Sequence, residues 1–269
     1  MNSQIKNILP NSLARQIKQT YLWVRGILFC GSKYKCNLCD RGFRKMLNGG
    51  FDLPVIHEKE IVGAGIRKHI CPYCQSTDRD RLVKLYLDHS FKLKDNIISI
   101  LHIAPEPALY KSLSKLKNIN YIPAVKYHEG IYYPKDITLV DITDIHFESE
   151  EFDLVICNHV LEHIEDDKLA INEIFRVLKK GGKAILQVPY SNLLKETYED
   201  ANIKTVEQRE KHFGQFDHVR LYGTDYPDKL RHCGFDVDLF SPESVIDKNK
   251  IAKLSLFKNE NLFIANKPN

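Results

Sequence analysis

FDLVICNHVLEHIEDDKLAINEIFRVLKKGGKAILQV, residues Phe152 to Val188, reads without a break as strand, polar turn, helix, glycine stop and strand. Phe152 to Cys157 is a continuous apolar run, the pattern of a strand covered on both faces of a parallel sheet, and it ends in polar Asn158 and His159. Asp166 and Asp167 offer an N-cap, and Ala170, Ile171, Ile174, Val177 and Leu178 recur at helical spacing. Lys179 and Lys180 suit the negative end of a helix, Gly181-Gly182 supplies a left-handed stop, and Lys183 to Val188 is the next strand. A β-α-β unit of this length requires a right-handed crossover in a sheet with helices on its faces.

FDLVICNHVLEHI followed by RVLKKGGKAIL closely resembles motifs IV and V of class I S-adenosylmethionine-dependent methyltransferases, in their small-molecule and O-methylating branch. The resemblance implies an α/β, Rossmann-like domain whose mostly parallel seven-stranded sheet carries helices on both faces. It implies S-adenosyl-L-methionine as cofactor.

A chain of 269 residues with 43% hydrophobic content has room for one large α/β domain and a small accessory unit. The net charge of +4 is too small to argue for nucleic acid or acidic lipid by itself. Its distribution is uneven: residues 1 to 39 hold no Asp or Glu, against Lys6, Arg15, Lys18, Arg25, Lys33 and Lys35. No apolar run reaches the ~18 residues of a membrane span, and the best candidate, Tyr21 to Cys30, is cut by Arg25. With no secretory cleavage pattern either, the expectation is a cytoplasmic protein.

Residues 1–35 read as a basic amphipathic helical segment. Ile5, Leu9, Leu13, Ile17, Tyr21, Val24 and Leu28 form a stripe interrupted by Pro10, expected to pack on the main domain; the alternative is peripheral membrane contact. Residues 36–75 carry Cys36-Asn-Leu-Cys39 and Cys71-Pro-Tyr-Cys74. Two such knuckles can close a tetrahedron of thiolates around a structural Zn2+, giving a zinc-ribbon-like module with no open metal position. On that resemblance residues 76–269 are the expected methyltransferase domain, with Pro189 to Arg220, inside a 189–222 segment, expected as a long polar substrate-side insertion.

Within that domain Ser76 or Thr77 caps a helix from Asp78 to His89, and Asn96 to Ile103 is the first buried strand. Where the resemblance calls for a glycine-rich turn, this chain has His102-Ile-Ala104-Pro105-Glu106-Pro107. A HxAPE-type turn looks like a subgroup of the family that also carries an N-terminal cysteine-rich module. On that resemblance His102, Ala104, Glu106, Asp141, Ile142, Asn158 and His159 are the cofactor-binding candidates. The second strand, Asn120 to Val125, lacks the acid that usually holds the ribose; Lys126 and Tyr127 follow it, and Glu129 stands further on.

His159, Glu162 and His163 share one face if a helical turn follows the fourth strand. A similar turn plus a distant histidine binds a divalent ion in some O-methyltransferases, which makes His218 the distant candidate here, though a Glu-His pair of this kind often only caps the turn. For a hydroxyl acceptor, a base near neutral pKa is needed. His218 is the first candidate, with Asp217 to orient it and Arg220 to grip an anionic substrate, and His159 is the second. The reading is a methyltransferase acting on a small-molecule or glycan-like acceptor. A zinc-ribbon RNA methyltransferase and a cofactor-dead zinc-binding adaptor are the alternatives; nucleic acid is not the favoured partner.

Overall fold

The computed structural model describes residues 11–91, 93, 97–127, 137–257 and 260–269. Ile5, Leu9 and Pro10 of the N-terminal stripe, and Glu129, lie outside the described residues. The main sheet has seven strands, numbered here β1 (Ile98–Ile103), β2 (Ile119–Val125), β3 (Thr138–Leu139), β4 (Phe152–Asn158), β5 (Leu178–Gln187), β6 (Asp236–Phe240) and β7 (Leu262–Asn266). Their order is β3-β2-β1-β4-β5-β7-β6. Neighbours β3 to β5 pair in parallel, while β7 runs antiparallel to both β5 and β6. This is a Rossmann-like α/β fold, a mostly parallel seven-stranded sheet with helices on both faces. Of the two final strands, only β7 opposes the rest of the sheet.

The central strands read as unbroken apolar runs because both of their faces are covered. In β4, Val155 and Cys157 join one hydrophobic cluster and Leu154 and Ile156 the other. The first cluster is closed by Ala170, Ile171, Ile174 and Val177, and the second by Leu82, Val83, Tyr86 and Leu87. Each fully buried aliphatic side chain of this kind contributes roughly 1.5–3 kcal/mol.

The helices are α1 (Asn11–Leu28), α2 (Pro54–Glu58), α3 (Asp78–Ser90), α4 (Pro107–Leu113), α5 (Asp167–Val177), α6 (Val206–Phe213), α7 (Tyr226–His232) and α8 (Lys248–Lys253). Thr77 caps α3 in a reciprocal capping box with Asp80, and the Asp166 side chain accepts from Leu169 N at 2.9 Å to start α5. The glycine stop works differently from the sequence expectation. Leu178 already leaves α5 with extended backbone and pairs with Phe152, while the β4 ladder resumes at Lys183. Residues 179–182 bulge out between those two points, with Gly181 at φ +70°. The carbonyls at the end of α5 are capped from afar, by Lys267 Nζ donating to Phe175 O at 2.9 Å and Leu178 O at 2.7 Å.

Two expectations about the accessory parts change. The segment after β5 is a folded unit: Tyr190–Ser191 pairs with Ile61–Val62, Tyr198–Glu199 pairs with Arg220–Leu221, and α6 lies between. Its Ile203, Phe213 and Leu221 share a buried cluster with Val55, Ile56 and Ile61. Insertion and cysteine module therefore make one cap. Helix α1 does not use its apolar stripe for docking: Leu13, Ile17, Tyr21, Val24 and Leu28 are 42–62% exposed. It is attached instead by Gly26, packed on the Tyr73 ring, and by Arg25 Nε, which donates to Pro72 O at 2.6 Å.

The cap is fastened by a buried ion cluster. Arg67, on the strand Arg67–Ile70, pairs with Asp78 at the start of α3 and with Glu260 next to β7. Arg81, fully buried, donates to His69 O at 2.7 Å, Ser76 O at 3.0 Å, Leu254 O at 2.8 Å and Ser255 O at 2.9 Å.

Candidate functional site

β1, β3 and β4 end on the same edge of the sheet, where crevices of parallel sheets take their ligands. The turn after β1 is built without glycine. Ala104 takes φ +49°, donates its N–H to Ala124 O at 2.7 Å, and lets Glu106 and Pro107 open α4. Left-handed backbone in a residue with a Cβ costs on the order of 1–2 kcal/mol, the strain a glycine would relieve here.

Glu106 spans this edge. His102 Nε2 donates to its Oε2 at 2.9 Å, and Asn158 Nδ2 donates to its Oε1 at 3.0 Å. The second ring nitrogen of His102 meets Tyr121 OH at 3.0 Å. Burial pushes the Glu106 carboxyl up, but the hydrogen bond and charge of His102, with help from Asn158, bring it below its ordinary range. Glu106 is thus held as a carboxylate at the edge. Asn158 Oδ1 is buried and has no hydrogen-bond partner.

His102 and Ile142 are both buried, the first with its ring against Glu106 and the second in the core. Ala104 is exposed on the turn. Asp141, after β3, accepts from Thr143 N at 3.0 Å and Thr143 Oγ1 at 2.8 Å, and pairs with Lys126 Nζ at 2.9 Å. The Lys126 hydrogen bond holds its carboxyl below the usual range. Val125, where the family acid would stand, is buried.

His159 follows β4 in left-handed backbone, φ +54°. It begins the wall of a cavity of about 250 Å3 between sheet edge and cap, lined also by Arg79, Glu162, His163 and His218. Glu162 and His163 lie on a 3-10 turn, Leu161–His163. His218 comes from the insertion, held to that turn by Val219 N donating to Glu162 O at 2.9 Å. Arg79 donates to His159 Nε2 and, at 2.9 Å, to Gly63 O. His159 Nδ1 in turn stands 3.3 Å from Glu162 Oε1, leaving Glu162 Oε2 buried and unpartnered.

Burial pushes the Glu162 carboxyl up to about 8. The same desolvation, with His163 beside it, brings His218 down to about 4; burial and then Arg79 hold His159 well below its ordinary value. Asp217 is not the partner of His218: it meets His163 Nδ1 at 3.4 Å, while His218 Nδ1 faces Phe213 O at 3.3 Å. Arg220 is also a different element from the expected substrate grip. It is 3% exposed and donates to Leu161 O at 3.2 Å, Glu165 O at 2.9 Å and Glu199 Oε2 at 2.9 Å, bracing the turn.

Among the described residues, two groups have ligand atoms close enough to share an ion. The four cysteines lie within 4.8 Å of one another, with Cys36 Sγ to Cys74 Sγ at 3.6 Å and Cys39 Sγ to Cys71 Sγ at 3.8 Å. A tetrahedron with Zn–S bonds of about 2.3 Å has edges of about 3.8 Å, so the thiols fit zinc. Glu162, His163 and His218 also fall within 4.8 Å of one another.

Residues 108–186 match the family described as "Methyltransferase domain". The uncharacterized protein MJ1123 of Methanocaldococcus jannaschii is 38% identical over 93 residues, 34% of this chain and 42% of the relative's length. Among solved structures, a SAM-dependent methyltransferase from Archaeoglobus fulgidus has TM-score 0.46 and 15% identity, covering 70% of this chain and 94% of that one. A phosphoethanolamine N-methyltransferase 2 of Haemonchus contortus has TM-score 0.47 and 15% identity, covering 71% and 53%.

Proposed function

We propose that this chain, which carries a methyltransferase domain of the S-adenosylmethionine-dependent class, transfers a methyl group to a hydroxyl of a small-molecule or glycan-like acceptor. The observation that carries the reading is the pairing of Glu106 with Asn158 at the carboxyl edge of β1 and β4, one residue from the cavity that opens at His159.

The residues fit the amino-acid end of the cofactor better than its ribose. The Glu106 carboxylate and the unpartnered Asn158 Oδ1 are acceptors suited to a cationic amino group, with His102 fixing Glu106 from below. Asp141 and the backbone around Ile142 would meet the adenine. The ribose would lack the usual strand-end acid, since Val125 is buried and Lys126 is tied to Asp141. When bound, the cofactor supplies an electrophilic methyl group, and the protein's part is positioning and proton removal.

The acceptor would lie in the cavity under the cap. His218, with Nδ1 turned to Phe213 O and Nε2 3.9 Å from Glu162 Oε1, is our first candidate to take the hydroxyl proton. His159 is second, because Arg79 and Glu162 engage its ring. The four cysteines would hold a structural Zn2+ that shapes the cap, and contribute no chemistry of their own.

A second role for the same turn is favoured by the buried, unpartnered Glu162 Oε2: with His163 and His218 it would hold a divalent cation with positions open to the cavity. His218 would then be a ligand rather than a free base. Uptake of Mn2+ by the zinc-loaded protein, abolished in Glu162→Gln, supports that role; wild-type protein that takes up no Mn2+ removes it.

Transfer of labelled methyl from S-adenosylmethionine tests the main reading. Sugars and small phenolic or alcoholic acceptors are expected to be labelled at oxygen. Labelling confined to RNA, with binding that weakens steeply with salt, would overturn the choice of acceptor.

A further inference from the structure

Helix α1 is amphipathic in the inverse sense of a core helix. Leu13, Ile17, Tyr21, Val24 and Leu28, spaced by four, four, three and four, line one face, with Trp23 and Ile27 beside them, and all seven are 42–62% exposed. The side turned to the protein is the thin one: Gly26 is buried against Tyr73, and a Cβ there would stand 3.0 Å from that ring. A helix made only for solubility would turn these faces the other way round.

The charge around this face is predominantly basic, with Asp40 an acidic exception on the cysteine module. Asp40 is the first acidic residue of the chain, preceded by Lys6, Arg15, Lys18, Arg25, Lys33 and Lys35. Of these, Arg15, Lys18 and Arg25 lie on α1, and exposed Lys33, Lys35, Arg44 and Lys45 lie in and beside the cysteine module against which the helix docks. A second copy of the same basic surface would be repelled, whereas an anionic surface would be attracted. An apolar band with Trp and Tyr among its members, on a helix about 27 Å long, suits the plane where headgroups meet acyl chains. Spanning is excluded for the described helices, since none is long and apolar enough to cross a membrane.

We propose that the exposed face of α1 is a peripheral docking surface for an anionic lipid membrane, which it enters in plane through Leu13, Ile17, Tyr21, Trp23, Val24, Ile27 and Leu28. The inference stands on α1 and its charge alone and does not depend on methyl transfer. It sets the cap and its cavity beside a lipid surface.

Trp23 is the single tryptophan of the chain, so its fluorescence reports this face directly. The full chain is mixed with vesicles of phosphatidylcholine alone and of phosphatidylcholine with phosphatidylglycerol. Flotation with the mixed vesicles, a blue shift of Trp23 and protection from aqueous quenchers are expected, and at least tenfold weaker binding to neutral vesicles or in high salt. The variant Ile17→Asp, Val24→Asp should lose flotation while keeping its melting temperature, since both side chains are exposed. Three results would each overturn the proposal: wild-type protein that neither floats nor shifts with anionic vesicles, flotation unchanged in the double variant, or Trp23 protection that arises from self-association without lipid.

Discussion

Asn158 Nδ2 donates to Glu106 Oε1 at 3.0 Å, so the end of the fourth strand and the turn after the first are joined by one side-chain hydrogen bond. That bond fixes a carboxylate where the parallel strands end. It also leaves Asn158 Oδ1 as an unused acceptor beside it.

Removing the unused acceptor should separate binding from stability. Asn158→Ala is expected to weaken S-adenosylmethionine roughly 10-fold or more, the worth of a charge-assisted hydrogen bond of about 1.5–3 kcal/mol. Equilibrium dialysis with the labelled cofactor measures it; an unchanged affinity would take Asn158 out of the site.

The ion cluster that fastens the cap should show in stability. Asp78 is 2% exposed and paired with Arg67, so Asp78→Asn leaves a buried guanidinium with one partner fewer and is expected to cost about 3–5 kcal/mol at neutral pH. Burial pushes the Asp78 carboxyl up, but Arg67 pulls it further down, to below its ordinary value. A depressed carboxyl contributes stability that is complete above its unfolded pKa and disappears as pH falls through the folded one. The gap between wild type and variant in urea midpoint should therefore be full at pH 7 and shrink below about pH 4. A gap that does not change with pH would mean that the pair contributes through packing alone.

The four cysteines should stabilise through a metal. Chelation or Cys71→Ser is expected to release one equivalent of zinc and lower the melting temperature, with the loss felt first in Arg67–Ile70, whose last residue adjoins Cys71. Elemental analysis showing no zinc in freshly purified protein would contradict this.

The bracing role of Arg220 makes a prediction opposite to that of a substrate grip. Arg220→Lys cannot reproduce the donations to Leu161 O, Glu165 O and Glu199, so stability should fall together with turnover. A raised KM with an unchanged melting curve would restore the substrate role.

The β4-α5-β5 unit was legible in the sequence because its signals are local: an apolar run, a capping aspartate and a helical period within 37 consecutive residues, Phe152 to Val188. The two CxxC pairs were legible for the same reason, each being a short motif. The joining of the cap was not. Ile56, Ile61, Phe213 and Leu221 meet in one cluster but sit in short, aperiodic stretches more than a hundred residues apart. Arg67 and Glu260 pair across 193 residues with no pattern to announce it. His159, Glu162, His163 and His218, which line the cavity, were singled out by residue type and spacing, whereas Arg79 was one charge among many on a capped helix. The stripe on α1 was seen, but which way it faces depends on Gly26 meeting Tyr73, a contact that no periodicity encodes.

Titration calorimetry of the full chain with S-adenosylmethionine, run on wild type and on Glu106→Gln, tests the central claim most directly. One binding site is expected in the wild type, weakened roughly 10- to 100-fold when the carboxylate is lost and the melting temperature holds. Wild-type protein that takes up no cofactor, or a Glu106→Gln variant that binds it unchanged, would contradict the account.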